Sequence, residues 1–190
     1  HNALSVSCDA PSERKRMILS IGGTPRFQDI VNKGFDLLFG VAPEFPDWTF
    51  VCVGINSEWM SELDSQFQVS GIKNLVILPQ IPHEEIIALM QEASIYVQAS
   101  ISEGMPNALM EAMACGCIPI GSNVAGIPTV IGEHGYIIKN RSPKELAEAL
   151  QKATSDTTNR QSVAESTHTR FAFELRQERI LQAVNELFQS

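Results

Sequence analysis

Residues 95–121 read I-Y-V-Q-A, S-I, S-E-G-M-P-N-A-L-M-E-A-M-A-C-G and C-I-P-I-G. The opening run, 95–99, is β-branched and aromatic and reads as a buried strand; the closing run, 117–121, reads as another. Between them Gly104 and Pro106 break the chain. Asn107 is placed to cap a helix whose Ala108, Leu109, Ala112 and Met113 recur at the spacing of one helical face. Two carboxylates, Glu103 and Glu111, bracket the turn. Glu103 falls where the carboxyl end of a strand meets the amino end of a helix, which is where open α/β sheets bind ligands.

The same rhythm extends in both directions. Upstream, residues 17–21 (M-I-L-S-I) form a strand that Gly22-Gly23-Thr24-Pro25 ends in a turn. A loop follows over 26–32. A helix then starts near Lys33-Gly34, carries Phe35, Leu37, Leu38, Phe39 and Val41, and is stopped by Pro43 and Pro46. Strands are expected at 48–53 and 74–78. Ser57 is placed to cap the helix after the first, and Pro82 to start the helix after the second. Downstream, Gly126-Ile127-Pro128 opens a short turn or helix, 136–138 is a short strand, and Pro143 starts a helix with Leu146, Ala149 and Leu150 inward. Residues 157–190 carry helical spacing without strand signals. Strands alternating with helices predict an α/β fold: a doubly wound, mostly parallel sheet of about six strands with right-handed crossovers and C-terminal helices.

Composition agrees with one soluble globular domain: 190 residues, 44% hydrophobic and 19% charged. A net charge of −8 argues against nucleic acid as a partner. No apolar run reaches the length of a membrane span. The chain begins with His1, as a tag remnant or a segment of a longer protein would. Cys52 reads as a buried thiol, and Cys115 and Cys117 read as packing residues rather than metal ligands, which fits a cytoplasmic setting.

Several ligands drop out on motif grounds. The turn after the first strand is G-G-T-P-R-F, without the glycine fingerprint for dinucleotides, and no acid follows the second strand. A Walker phosphate loop is absent as well. What remains is an anion site assembled from separate pieces: Arg26 and Lys33 after the first strand, and backbone amides over 104–107 at a helix start, where the dipole favours anions. Taken singly, Arg26 and Lys33 are solvated loop residues, and Glu103 and Glu111 exposed acids. Together they have a reason. Ionised carboxylates only accept hydrogen bonds and sugar hydroxyls donate them, so two acids flanking a phosphate site describe a nucleotide sugar.

The stretch from Glu103 to Pro119 resembles the E-x7-E signature of retaining glycosyltransferases with the GT-B fold, and among them glycosyltransferase family 4, also called group 1. The resemblance covers about 17–152: Lys33-Gly34-Phe35-Asp36, Val53-Gly54, the A-S-I-Y-V-Q-A-S approach, Gly126-Ile127-Pro128 and Gly132-Glu133-His134-Gly135. It implies the C-terminal, donor-binding half of such an enzyme, with 1–16 a linker or tail, 17–156 a Rossmann-like nucleotide-sugar domain, and 157–190 helices that pack on it or cross to an N-terminal domain outside this chain. It implies that Glu103 contacts donor-sugar hydroxyls and Glu111 the ribose. Lys33 and Arg26 would neutralise the diphosphate, with the Gly22-Gly23 turn and the segment Gly104, Met105, Pro106 and Asn107 assisting. The base would sit by Pro79 and Ile81. The donor would be a nucleoside-diphosphate sugar, used without metal or cofactor. The acceptor, a glycan, lipid or small molecule, would be held by the other domain, so this chain alone would not transfer sugar; the whole enzyme would be cytoplasmic and membrane-peripheral. Three features depart from the family pattern: Gly23 stands where an arginine is common, the loop to Lys33 is longer, and Thr129 stands where an acid is frequent. His83, after Pro82 at a helix start, and His134, in a G-E-H-G turn, read as exposed residues. The alternatives are a nucleotide-sugar epimerase or sugar phosphorylase of the same fold, and a non-catalytic nucleotide-binding module.

Overall fold

The computed structural model describes residues 14–104, 106–158 and 160–171. Its centre is one sheet of parallel strands: β1 (Lys15–Ile21), β2 (Thr49–Val53), β3 (Leu75–Leu78), β4 (Ala93–Gln98), β5 (Ile118–Ser122) and β6 (Tyr136–Ile138). They lie in the order β3-β2-β1-β4-β5-β6, so the chain winds outward from β1 to one edge and then outward from β4 to the other. This is the doubly wound sheet expected from the sequence.

Alternation along the strands explains why both faces are covered. In β1, Ile18 faces one apolar cluster while Met17 and Leu19 face the other; in β2, Phe50 and Cys52 oppose Val51 and Val53. The first face is covered by α1 (Gln28–Lys33), α2 (Phe35–Val41), α3 (Met60–Phe67) and α7 (Pro143–Thr154). The second carries α4 (His83–Glu92), α5 (Asn107–Ala114), α6 (Ile127–Ile131) and α8 (Arg160–Phe171). Fully burying a single Leu, Ile or Phe contributes about 1.5–3 kcal/mol, so these two layers supply the stabilisation. No helix among the described residues is long and apolar enough to cross a membrane.

The structure differs from the sequence reading at element ends. The 26–32 loop is mostly helix: α1 begins at Gln28, and the chain turns into α2 at Gly34, whose φ is 84°. The segment Q-D-I-V-N-K hides this, because its N-terminus is organised by a side chain. Asp29 accepts from the backbone N–H of Arg26 at 3.1 Å and from the guanidinium at 2.8 and 3.2 Å, and Asn32 donates to it at 3.0 Å. Asn56, not Ser57, caps the turn before α3, accepting from the Glu58 N–H at 3.2 Å. Asn107 is the first residue of α5, with Pro106 in the cap position. α8 packs on α5 through Val163, Ala164 and Thr167, and His134 hydrogen-bonds the Ser166 hydroxyl at 2.7 Å across to it. Residues 172–190 of the expected C-terminal helices, and residues 1–13 of the expected tail, lie outside the described residues.

The α1 region can be tested at two positions. A Cβ on Gly34 would stand 2.3 Å from the Ala99 carbonyl oxygen at a positive φ. Gly34→Ala therefore combines a backbone clash with left-handed strain and costs more than about 2 kcal/mol in chemical denaturation. The Arg26 and Asn32 hydrogen bonds hold the Asp29 carboxyl at about 2, below its ordinary 3.8. A lowered folded-state value stabilises above the ordinary value, and the contribution is lost as pH falls from about 4 through about 2. The melting-temperature gap between wild type and Asp29→Asn then narrows over that window; a constant gap contradicts the assignment.

Candidate active site

A doubly wound sheet opens a crevice where the windings part, here between the carboxyl ends of β1 and β4. Lys33, at the end of α1, reaches this crevice from the β1 side with its aliphatic stem lying over Gly22, where a Cβ would stand 3.0 Å from the lysine Cγ. Glu103 enters from the loop after β4. Lys33 Nζ and Glu103 Oε1 meet at 2.7 Å, with 30% and 16% of the two side chains exposed. The same Oε1 accepts from Ser100 Oγ at 3.0 Å and from Gln98 Nε2 at 3.2 Å. Behind them the Tyr96 hydroxyl donates to Gln98 Oε1 at 3.0 Å, and Ser122 Oγ donates to the Ser100 carbonyl at 2.6 Å. Glu103 thus sits at the end of a hydrogen-bonded chain that begins in the core of β4.

The turns around the crevice are held by backbone approaches that exclude side chains. Gly22 N–H donates to the Val53 carbonyl at 2.9 Å, and Thr24 Oγ1 donates to the Gly54 carbonyl at 3.1 Å. Gly54 has φ 95° and lies against the Gly22 carbonyl. Gly126 lies so close beneath Gly104 that a Cβ on it would be 2.6 Å from the Gly104 oxygen. Gly23 and Gly104 themselves face open space, with nothing within 4 Å of a Cβ built on either. Pro106 is buried, and Asn107 is exposed at the start of α5. Met105 lies outside the described residues.

The remaining sequence candidates divide. Glu111, on α5, faces His83 Nε2 at 3.2 Å from each carboxylate oxygen. Arg26 is 75% exposed and its charge is engaged by Asp29, whose carboxylate raises the guanidinium further above its ordinary value. Pro79 lines a cavity of about 320 Å³ together with Gln80, Gly54, Asn56 and the Gly23–Thr24–Pro25 turn. Ile81 instead packs against the apolar cluster on the second face of the sheet. Among the described residues no His, Cys, Asp and Glu side chains are grouped to hold a metal ion.

Three participants are not evident from sequence. Tyr96, Gln98 and Ser100 belong to a stretch that reads as buried strand, and the one signal there is a polar Gln98 among apolar neighbours. His83 is exposed as expected, yet it is the residue that meets Glu111. His134 is half-buried and serves to tie α8 rather than to line the crevice.

Chemically, the crevice offers a lysine and the start of a helix to an anion, with two carboxylates beside them to accept hydroxyl hydrogens. Known proteins share both the sequence and the fold. Residues 12–170 match the family described as "Glycosyl transferases group 1". A human phosphatidylinositol N-acetylglucosaminyltransferase polypeptide is 29% identical over 130 residues, 65% of this chain. The chain spans 26% of that protein's length. The GDP-mannose:cellobiosyl-diphosphopolyprenol alpha-mannosyltransferase of Xanthomonas oryzae is 33% identical over 124 residues, covering 62% of this chain and 33% of that protein. In structure, the C-terminal domain of a group 1 glycosyl transferase from Francisella tularensis superposes with a TM-score of 0.67 at 23% identity, covering 84% of this chain and 88% of that domain. The parallel sheet wound out from β1 and β4, the crevice between them and the match over 12–170 agree: the chain belongs to the group 1 glycosyl transferases.

Proposed function

We propose that this chain is the donor-binding half of a retaining glycosyltransferase of family 4, which moves a hexosyl group from a nucleoside-diphosphate sugar to a glycan or other acceptor. The observation that carries the reading is the meeting of Lys33 with Glu103 at the switch point of the sheet, beside the Gly104–Asn107 turn. The diphosphate lies along Lys33 and the start of α5, over the open Gly22–Gly23 turn. Glu103 accepts hydrogen bonds from the donor sugar and Glu111 from the ribose. The base occupies the cavity between Gly23–Pro25 and Pro79, Gln80. As the sugar leaves, charge grows on the diphosphate oxygens, and Lys33 with the helix amides stabilises it. Arg26, shared with Asp29, contributes less than Lys33. In this reading Lys33 and the helix amides supply the positive potential, and no metal or other cofactor is required.

Residues 17–156 form the donor unit. The acceptor, whether glycan, lipid or small molecule, is bound by a second domain outside this chain. The whole protein works on the cytoplasmic side, at the membrane surface where the acceptor is a lipid; the names of the human and Xanthomonas relatives, which specify phosphatidylinositol and a diphosphopolyprenol, support a lipid acceptor and favour transfer over epimerisation.

Calorimetric titration with UDP, GDP and ADP tests the reading. One of them binds the chain, and Lys33→Ala weakens it by about ten- to a hundredfold, the size of a lost hydrogen bond to a charged group. Glu111→Ala weakens the same ligand about tenfold, and it has little effect on inorganic diphosphate, which has no ribose. Equal nucleotide affinity for wild type and Glu111→Ala overturns the ribose assignment. The chain alone leaves a labelled donor untransferred, while the whole protein yields a product whose anomeric configuration, read by NMR, is that of the donor; an inverted product overturns the retaining mechanism.

A further inference from the structure

Gln98 stands at the carboxyl end of β4, 4% exposed, where its neighbours on the strand are apolar and its backbone pairs with Gly121 of β5. Neither the sheet nor the core asks for an amide there. Its side chain bridges three groups: Oε1 accepts from the Tyr96 hydroxyl at 3.0 Å, and Nε2 donates to Ser100 Oγ at 2.8 Å and Glu103 Oε1 at 3.2 Å. We infer that Gln98 is a positioning residue for Glu103: its amide, oriented by Tyr96, fixes one carboxylate oxygen so that the other addresses the donor sugar.

Donor–acceptor polarity sets the direction of the amide. An ionised carboxylate only accepts, so an amide turned the other way would set oxygen against oxygen; the Tyr96 hydroxyl, by donating to Oε1, holds the amide in the productive sense. Burial pushes the Tyr96 phenol well above its ordinary value, so the hydroxyl keeps its proton and stays a donor. Saturation then selects the other oxygen. Glu103 Oε1 accepts from Lys33, Ser100 and Gln98, which fills its lone-pair directions, so a hydroxyl from a ligand is directed to Oε2. Rigidity completes the device. Tyr96 and Ser100 are fully buried, and Ser122 clamps the Ser100 carbonyl at 2.6 Å, so the chain of donors starts from an immobile support. A carboxylate so held is ready for its ligand without reordering.

The inference rests on the donor-site reading above, and the experiment separates the two. The chain is titrated with UDP and UDP-N-acetylglucosamine, and with GDP and GDP-mannose. The quantity read is the ratio of affinities of each nucleotide sugar and its free diphosphate. Gln98→Met, close in volume and without donors, keeps diphosphate affinity within about twofold and reduces the sugar ratio about tenfold. In a Glu103→Gln background the same change has no further effect, because Gln98 acts through the carboxylate. Tyr96→Phe, which keeps the ring, shifts the ratio in the same direction by less, and it gives the answer should Gln98→Met fail to fold in a thermal melt. Equal weakening of diphosphate and sugar, an unchanged sugar ratio, or an undiminished effect in the Glu103→Gln background each overturns the role of Gln98. If wild type binds none of the four ligands, nor ADP and ADP-glucose titrated in the same way, the donor-site reading falls and the inference with it.

Discussion

Everything at the crevice depends on a carboxylate that is mostly removed from water. Taking Glu103 out of solvent is costly unless its charge is met, and Lys33 at 2.7 Å with the Ser100 and Gln98 donors meets it. The pairing links a helix end and a loop through residues 70 apart in the chain, one from each winding of the sheet. It also leaves the lysine in reach of an incoming anion. A ligand that carries both phosphate and hydroxyls satisfies both partners at once. A bare phosphate pulls Lys33 from its carboxylate partner and gives Glu103 nothing in exchange.

Holding the loops this close requires that side chains be absent between them. Gly34 against Ala99, Gly54 against Gly22 and Gly126 against Gly104 are three places where backbone meets backbone at distances a Cβ cannot tolerate. Each joins segments from different connections, so the rim of the crevice is set by main-chain packing and by Thr24, whose hydroxyl and carbonyl bind Gly54, Asn56 and the Trp59 indole. The rim of the crevice is thus placed by a frame that has little freedom to rearrange.

Much of this is legible in the residues alone, for a physical reason. Parallel strands buried on both faces must be nearly continuous apolar runs, and 17–19, 50–53 and 95–97 are such runs, which places the strands directly. Glu103, Glu111 and Lys33 stand out because charged residues beside glycine-rich turns have no structural need to be there. What periodicity cannot show is side-chain hydrogen bonding across loops. The short helix α1 has few apolar residues and is organised by Asp29; the meeting of His83 with Glu111 depends on how α4 lies against α5; and Gln98 is inconspicuous within a strand until its partners are seen. Arg26 shows the converse. Its sequence position fits a diphosphate ligand, but a carboxylate three residues away holds it first.

The glycines around the crevice are of two kinds, and the difference bears on how such a site diversifies. Gly34, Gly54 and Gly126 are demanded by the frame. Gly23 is not: its φ lies outside the left-handed region, and a Cβ there would meet nothing within 4 Å. A Cβ can therefore be introduced at Gly23, at the mouth of the crevice, without meeting a neighbouring atom. The lining of the crevice mouth is thus open to change at a single codon, separately from the stability of the sheet beneath it.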